Sequence, residues 1–534
     1  MSNCTVPAIL FVLLSVLVSC EYSEIVKATY LPNNNLLTEA SFKLSQEFPF
    51  PLTQYKVFGT FPSLIYALPS EFGLEAGKIA FTRGKWESSK WGKCATDTTS
   101  SGFQFNGQFK DQFSNLCIEE RFNLAIELIS GYFCASLNTL KYSNAIKPTI
   151  PSFEMASAVS STILIGIIPS EPLCIENLLP WLDLLPCGNR AGLAEMFKPE
   201  AIYQSDFHSI QIQFSSREDH GSLFIEMNMR MITVYDLNQW ERNNNWSLSG
   251  LFGKSFVKPC PIVSNDPTVI LLMPNSPEYI NSLHQQKDIV SSRGSHLVVE
   301  YSGIDLLSDI GAIDVPKFNE FINPPNPFRA YRFKSGTTDD FGGLGLVLEN
   351  DLNIQIEITV IESIPWLFKV FLHKGEFALN SVIIPPSRLS EYLKEFSIEP
   401  AVNRKRPLLL QSKWILPPKS HLQLYFPFER EFLRIDEFPH NSDRGIELPG
   451  ALIIYKHDHL VTETTNTLLF QWPIPDGTMP FNVITMTSTL AALFYGSFFN
   501  AIFRRFYLKH PNDPPPGVIP KLLWNLKKNL LKSK

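Results

Sequence analysis

Apolar and polar residues alternate through much of the second half of the chain. Over 352–360, Ile354, Ile356 and Ile358 point one way and Asn353, Gln355 and Glu357 the other. A period of two predicts a half-buried strand. Leu422, Leu424, Phe426 and Phe428 repeat it, with shorter runs near 296–300, 343–348 and 452–455. Strands with one polar face predict antiparallel sheets packed as a sandwich. Earlier, 210–214 and 223–231 alternate, and Leu223, Ile225, Met227, Met229 and Met231 form one core-facing stripe. Helical spacing is rarer. Phe122, Ala125, Ile126 and Ile129 predict an amphipathic helix over 118–130 that stops at Gly131, and short helices are expected over 277–286 and 386–396.

Two longer apolar runs stand apart. Residues 8–18 lie in an uncharged N-terminus ending in Val18-Ser19-Cys20, so 1–20 reads as a secretory signal peptide. Residues 483–503 would make a helix of roughly 31 Å, enough to cross a bilayer. Arg504, Arg505 and Lys509 follow, and the tail 504–534 holds eight Lys/Arg against Asp513 alone, a net +7. With −6 overall, the remainder is near −13. Basic residues on one flank predict a cytosolic tail and a lumenal body, a single-pass type I arrangement. A glycolipid-anchor signal would close the chain with its apolar run, whereas 31 residues follow this one. In the tail, Ile519, Leu522, Leu523, Leu526 and Leu530 share a helical face, with Lys521, Lys527, Lys528 and Lys532 elsewhere around it, which predicts a helix on the membrane surface.

Composition is that of a globular chain, 44% hydrophobic and 18% charged, which excludes collagen-like and disordered classes. Abundant Phe (41) and Pro (40) favour strands with many connections. The expected fold is mainly β with some α: lumenal β-sandwich-type domains followed by one C-terminal transmembrane helix. The expected divisions are a signal peptide (1–20), an N-terminal α+β region carrying the cysteines (21–265), a C-terminal β-sandwich (266–478), the transmembrane helix (482–503) and a basic tail (504–534).

Beyond Cys4 and Cys20 the cysteines are Cys94, Cys117, Cys134, Cys174, Cys187 and Cys260. An even count in an oxidising compartment predicts disulfides, of which Cys94–Cys117 is the most natural on sequence; six cysteines leave 15 connectivities. Asn245-Trp246-Ser247 is the glycosylation sequon of the mature lumenal part. No nucleophile elbow, HExxH, P-loop or dinucleotide fingerprint occurs, and neither a metal site nor a cofactor is expected. His457-Asp458-His459 lacks a third ligand and reads as a solvated loop. His208 with Cys174 or Cys187 could form a thiol dyad only if those sulfurs were unpaired. In and beside the apolar run, Asn482, Thr485, Thr487, Ser488, Thr489, Tyr495, Ser497 and Asn500 predict contact with partner helices or a lipid headgroup.

Several ordered segments resemble the PIG-T family of glycosylphosphatidylinositol (GPI) transamidase subunits. They are FTRGKWESSKWG (81–92), FCASLN (133–138), CIENLLPWLDLLPC and GNRAGL (174–193), KPCP (258–261), IPWLFKVFLH (364–373), FER (428–430) and MPFNV…YGSFFN (479–500). The resemblance implies a non-catalytic subunit of an endoplasmic-reticulum membrane complex that transfers proprotein C-termini to a GPI lipid. Its partners would be a caspase-like catalytic subunit and further membrane subunits, with no nucleic acid. By this resemblance Cys174 makes an intermolecular disulfide to the catalytic subunit, Cys187–Cys260 is the internal staple, and Cys134 stays free and buried. Asn482, Tyr495 and Asn500 would meet partner subunits or the GPI lipid. Cys94 and Cys117 depart from the family pattern and fit an additional disulfide. The competing class with the same topology is a single-pass adhesion or receptor-type ectodomain.

Overall fold

In the computed structural model the described residues are 20–49, 61–92, 99–113, 116–149, 161–169, 171, 173–219, 222–240, 245–275, 277–283, 291–293, 296–312, 327–336, 340–438, 444–456, 460–472, 478–504, 513–514 and 517–532. They form two compact units, divided between Trp472 and Pro473. Strands dominate the first, and the second is helical.

A ten-stranded sheet organises the first part of the larger unit. Its order is Ser291–Arg293, His296–Ser302, Thr268–Pro274, Cys20–Leu31, Asn35–Pro49, Ser222–Asp236, Phe207–Asp219, Leu74–Arg83, Gly102–Lys110 and Ser161–Ile168. Neighbours pair antiparallel except Cys20–Leu31 with Thr268–Pro274. The methionine stripe lies where its period places it, with Met227, Met229 and Met231 almost wholly buried beside Leu223 and Ile225. Three of the strands lie beyond residue 265, so the sheet takes in chain from both sides of the expected boundary. Parallel pairing of 268–272 with Ile25–Thr29 brings this later chain into the sheet.

The Ile118–Phe133 helix buries Phe122, Ala125, Ile126 and Ile129 against the sheet, as its spacing predicts. Glu119 and Glu120 sit in the first turn, where carboxylates complement the helix dipole. Arg121 is also buried, because its guanidinium donates to the carbonyls of Phe72 (3.1 Å) and Lys110 (2.8 Å). The helix passes Gly131 and ends at Cys134, which takes the left-handed cap at φ +51°. That position is exposed, so the expectation of a buried Cys134 is wrong: a C-cap projects beyond the packed turns.

Residues 327–472 make the sandwich. One sheet runs Phe328–Ser335, Phe341–Asn350, Ser420–Arg430, Glu376–Leu379 and Val382–Ile383, with Phe368–Val370 also on Ser420–Arg430. The other runs Leu393–Glu399, Leu408–Leu416, Ile356–Ile364, Leu452–Lys456 and Leu460–Thr464. Leu346, Leu422, Leu424 and Phe426 from the first meet Ile358, Val360, Trp414 and Ile453 from the second in one core. The second sheet's other face packs Ile361, Leu409, Leu452 and Ile454 on Ile146 and Ile165. Gln411 adds bonds to Thr149 N and Lys147 O, both 2.8 Å. Burial on both faces makes the sandwich and the ten-stranded sheet one unit.

Two expectations shift. The strand foreseen from 352 begins at Ile356, and Ile354 is exposed. Asn350 is the cause: its amide donates to the carbonyls of Ile354 (2.9 Å) and Pro417 (2.8 Å) and accepts from Leu352 N, bending 350–354 into a turn. The helix foreseen over 386–396 shrinks to the short turns Pro386–Arg388 and Leu389–Tyr392. Leu393–Glu399 instead pairs with Leu408–Leu416, whose ladder satisfies its backbone. The helix foreseen from 277 is present as Pro277–Ser282, and 284–286 lie outside the described residues.

In the second unit, Thr478–Phe503 is one helix, and its Phe481–Phe503 stretch is long and apolar enough to cross a membrane. Val518–Lys532 is a separate helix.

Candidate functional site

The segment from Cys174 to Met196 contains no strand. It advances by three short 3₁₀ turns, Glu176–Leu178, Pro180–Leu184 and Leu193–Met196. Pro180 fixes the start of the second turn, and Leu178, Trp181, Leu182 and Leu184 drop into the core from closely spaced positions. Trp181 is fully buried, with its ring 6.0 Å from Phe42 and 6.1 Å from Phe197. The backbone thus runs over the surface while its side chains nail it down.

Cys174 opens this segment with a half-buried thiol. Its backbone N–H and its Sγ both reach Asn177 Oδ1 at 2.9 Å, and Sγ lies 3.3 Å from Glu176 Oε2. Asn177 turns its amide the other way, donating to the carbonyls of Phe133 (2.9 Å) and Cys134 (3.3 Å). One buried asparagine therefore fixes the cysteine to the end of the Ile118–Phe133 helix. Ile175 (37%) and Leu179 (50%) are exposed beside it, an apolar surface around a thiol.

At the far end, Cys187 and Cys260 are joined by a disulfide with Cα atoms 5.9 Å apart. Gly192 N donates to Lys258 O (2.9 Å), close to Cys260. Glu24, on the first strand, is buried and accepts from Leu193 N (2.6 Å) and the Tyr22 hydroxyl (2.7 Å). Burial raises the Glu24 carboxyl above the usual carboxylate range, against the opposing pull of the Leu193 and Tyr22 donors. Disulfide and buried carboxylate hold the two sides of the same loop.

The other foreseen residues are dispersed. Cys117 is exposed at the N-cap of its helix, where Sγ accepts from Glu120 N at 3.5 Å. Cys94 and His457-Asp458-His459 lie outside the described residues. His208 is fully buried, with Nδ1 3.3 Å from Ser205 Oγ, and burial followed by the Arg83 charge pushes its pKa down to about 4. With Cys187 in a disulfide, no thiol dyad forms with that sulfur. Asn245 is half-buried; its neighbour Trp246 donates to the Tyr30 hydroxyl (3.0 Å), and Ser247 caps the Leu248–Phe252 helix by accepting from Gly250 N. Asn482, Tyr495 and Asn500 lie on the Thr478–Phe503 helix. Glu24, Asn177 and Gly192 went unforeseen, and the available signal was Asn177 three residues after Cys174, a spacing at which an Asn side chain can bond back to the backbone.

A family model described as the Gpi16 subunit, GPI transamidase component, matches residues 7–245 and 231–519. The chain belongs to the Gpi16 family of GPI transamidase components. It is 27% identical over 467 residues to a GPI transamidase component PIG-T homolog of Schizosaccharomyces pombe, covering 84% of this chain and 83% of that one. The human GPI-anchor transamidase component PIGT is 25% identical over 548 residues, covering 93% and 92%. The Saccharomyces cerevisiae component GPI16 is 25% identical over 551 residues, covering 91% and 88%. Cys174, Cys187 and Cys260 all fall inside the part matched by the Gpi16 model.

Proposed function

We propose that this Gpi16-family subunit is a non-catalytic scaffold of the GPI transamidase, holding the caspase-like catalytic subunit through lumenal contacts and a disulfide from Cys174. The reading rests on one observation: the Cys174 thiol reaches the surface from a segment that Asn177 and Trp181 lock to the core, with Ile175 and Leu179 exposed around it. A fixed thiol in an apolar patch suits a covalent bond across an interface. Once formed, that bond makes re-association intramolecular, so modest contacts keep the partner in place. The chain then sits in the endoplasmic-reticulum membrane as a single-pass type I protein, with 1–20 removed, the body in the lumen, a glycan on Asn245 and the basic tail in the cytosol. Asn482, Tyr495 and Asn500 face neighbouring subunits or the GPI lipid.

Non-reducing electrophoresis of the complex from native membranes tests this. A heavier covalent species is expected for the wild type and lost in Cys174→Ser, which still co-purifies with its partners. A wild-type chain running only as a monomer from intact complex would overturn the assignment.

A further inference from the structure

The Val518–Lys532 helix lies outside the scaffold role and has an unpartnered face. At 100° per residue, Ile519, Leu522, Leu523, Leu526 and Leu530 fall in one arc. Each is 55–73% exposed. Leu531 lies off this stripe. Lys521, Lys527, Lys528 and Lys532 occupy the remaining surface, and no Asp or Glu occurs in the helix, so its charge is +4 with no internal compensation. Trp524 falls on the lysine side, between Lys527 and Lys528 in angle, with the Lys528 ammonium 4.5 Å from its ring centroid. A 15-residue helix of this kind is marginal alone in water and needs a surface to lie on.

Two features on the chain say which surface. Fourteen residues separate the end of the Thr478–Phe503 helix from Val518. Such a linker spans about 50 Å at full stretch, so the tail stays within that distance of whichever bilayer its apolar helix crosses. The second feature is charge: a wholly cationic polar face complements phosphate and carboxylate headgroups, and a neutral surface would leave it without counter-charge.

We infer that the Val518–Lys532 helix binds flat on the anionic surface of the chain's own membrane, its leucine stripe in the acyl boundary and its lysines among acidic headgroups. The helix anchors the end of the spanning segment and makes its seating depend on acidic lipid content. This rests on the Phe481–Phe503 stretch lying in a bilayer and is independent of the Cys174 linkage.

The test is hydrogen exchange of 518–532 in the full chain reconstituted into nanodiscs of phosphatidylcholine, with or without phosphatidylserine. Slow exchange is expected in the phosphatidylserine discs, with protection falling by about fivefold for each lysine changed to Gln. Leu523→Glu with Leu526→Glu should abolish protection in both lipids while leaving exchange in the larger unit unchanged. Equal exchange in the two lipids would overturn the inference, as would protection that survives the glutamate pair. Protection seen only in the assembled complex and never in phosphatidylserine discs would assign the stripe to another subunit and also overturn it.

Discussion

Replacing Gly192 with Ala tests whether the Glu24 clamp holds the loop after Cys187. Gly192 has φ +85° and ψ −177°, a backbone region essentially reserved for glycine. A Cβ there would run into both carboxylate oxygens of Glu24. Strain of this kind costs about 1–3 kcal/mol. Displacing Glu24 would also break its bonds from Leu193 N and the Tyr22 hydroxyl, and such bonds contribute about 0.5–1.5 kcal/mol each. With partial relaxation of the loop, the local loss is about 4 kcal/mol, or roughly a thousandfold in the opening equilibrium. The Leu193 amide reports it directly, because its hydrogen is the one Glu24 holds. Hydrogen exchange of the full chain should therefore show peptides containing Leu193 losing about three orders of magnitude of protection. Gly131→Ala is the control. A Cβ at Gly131 meets nothing within 4 Å, and Ala favours the helix by about 1 kcal/mol, so protection there should hold or rise. A Leu193 amide in Gly192→Ala that exchanges within about tenfold of wild type would refute the clamp.

The buried His208 should leave a signature in acid. Its native pKa is pushed down to about 4 while the unfolded value is near 6.5, so between those limits the unfolded chain binds a proton that the folded chain does not. Stability then rises with pH across the window and is lost as pH falls from 6.5 towards 4, by up to about 3 kcal/mol. His208→Asn should flatten that part of a denaturation-midpoint profile, and an unaltered slope would count against the assignment. Thiol accessibility supplies a second check. In the isolated native chain without reductant, maleimide should modify the exposed Cys134 quickly and the half-buried Cys174 more slowly. Cys187 and Cys260 should react only after reduction, and peptide mapping that finds Cys260 modified beforehand would contradict the pairing.

Periodicity revealed those elements whose side chains answer to one neighbouring surface. The stripe from Leu223 to Met231 and the alternation from Leu422 to Phe426 face a single core each, so period two is visible in the sequence. The start of the Ile356–Ile364 strand was hidden, because Ile354 continues the alternation while Asn350 bends the backbone out of the sheet. A side chain bonded to main-chain groups four and 67 residues away leaves no periodic trace. The extent of the first sheet was hidden for a related reason. Parallel pairing of Ile25–Thr29 with 268–272 joins segments far apart in sequence, and such pairing is set by tertiary closure. At the candidate site the cysteines were legible from the motif resemblance. The residues that hold them, Asn177 and Glu24, act on backbone groups of distant segments.

In the Thr478–Phe503 helix, fewer polar residues need an outside partner than its sequence offers. Thr485, Thr487 and Thr489 return their hydroxyls to the carbonyls of Phe481, Val483 and Thr485 at 2.6–2.8 Å, and Ser497 donates to Phe494 O at 2.9 Å. Unsatisfied polar groups in hydrocarbon cost several kcal/mol, and these four are satisfied within the helix, so they place no demand on a neighbour. Among the described residues Asn482, Tyr495 and Asn500 have no such bond, and an amide with two donors and an acceptor cannot return all of them to its own helix. Asn482 and Asn500 lie five turns apart on one face, about 27 Å along the axis. The demand for outside partners therefore falls on Asn482 and Asn500 towards the two ends of the helix and on Tyr495 beside Gly496. In the middle, around Ala491, Ala492 and Gly496, a Cβ added at Gly496 would meet nothing within 4 Å. Small residues at these positions would let a neighbouring helix approach closely, with the Tyr495 hydroxyl at hand as a polar group.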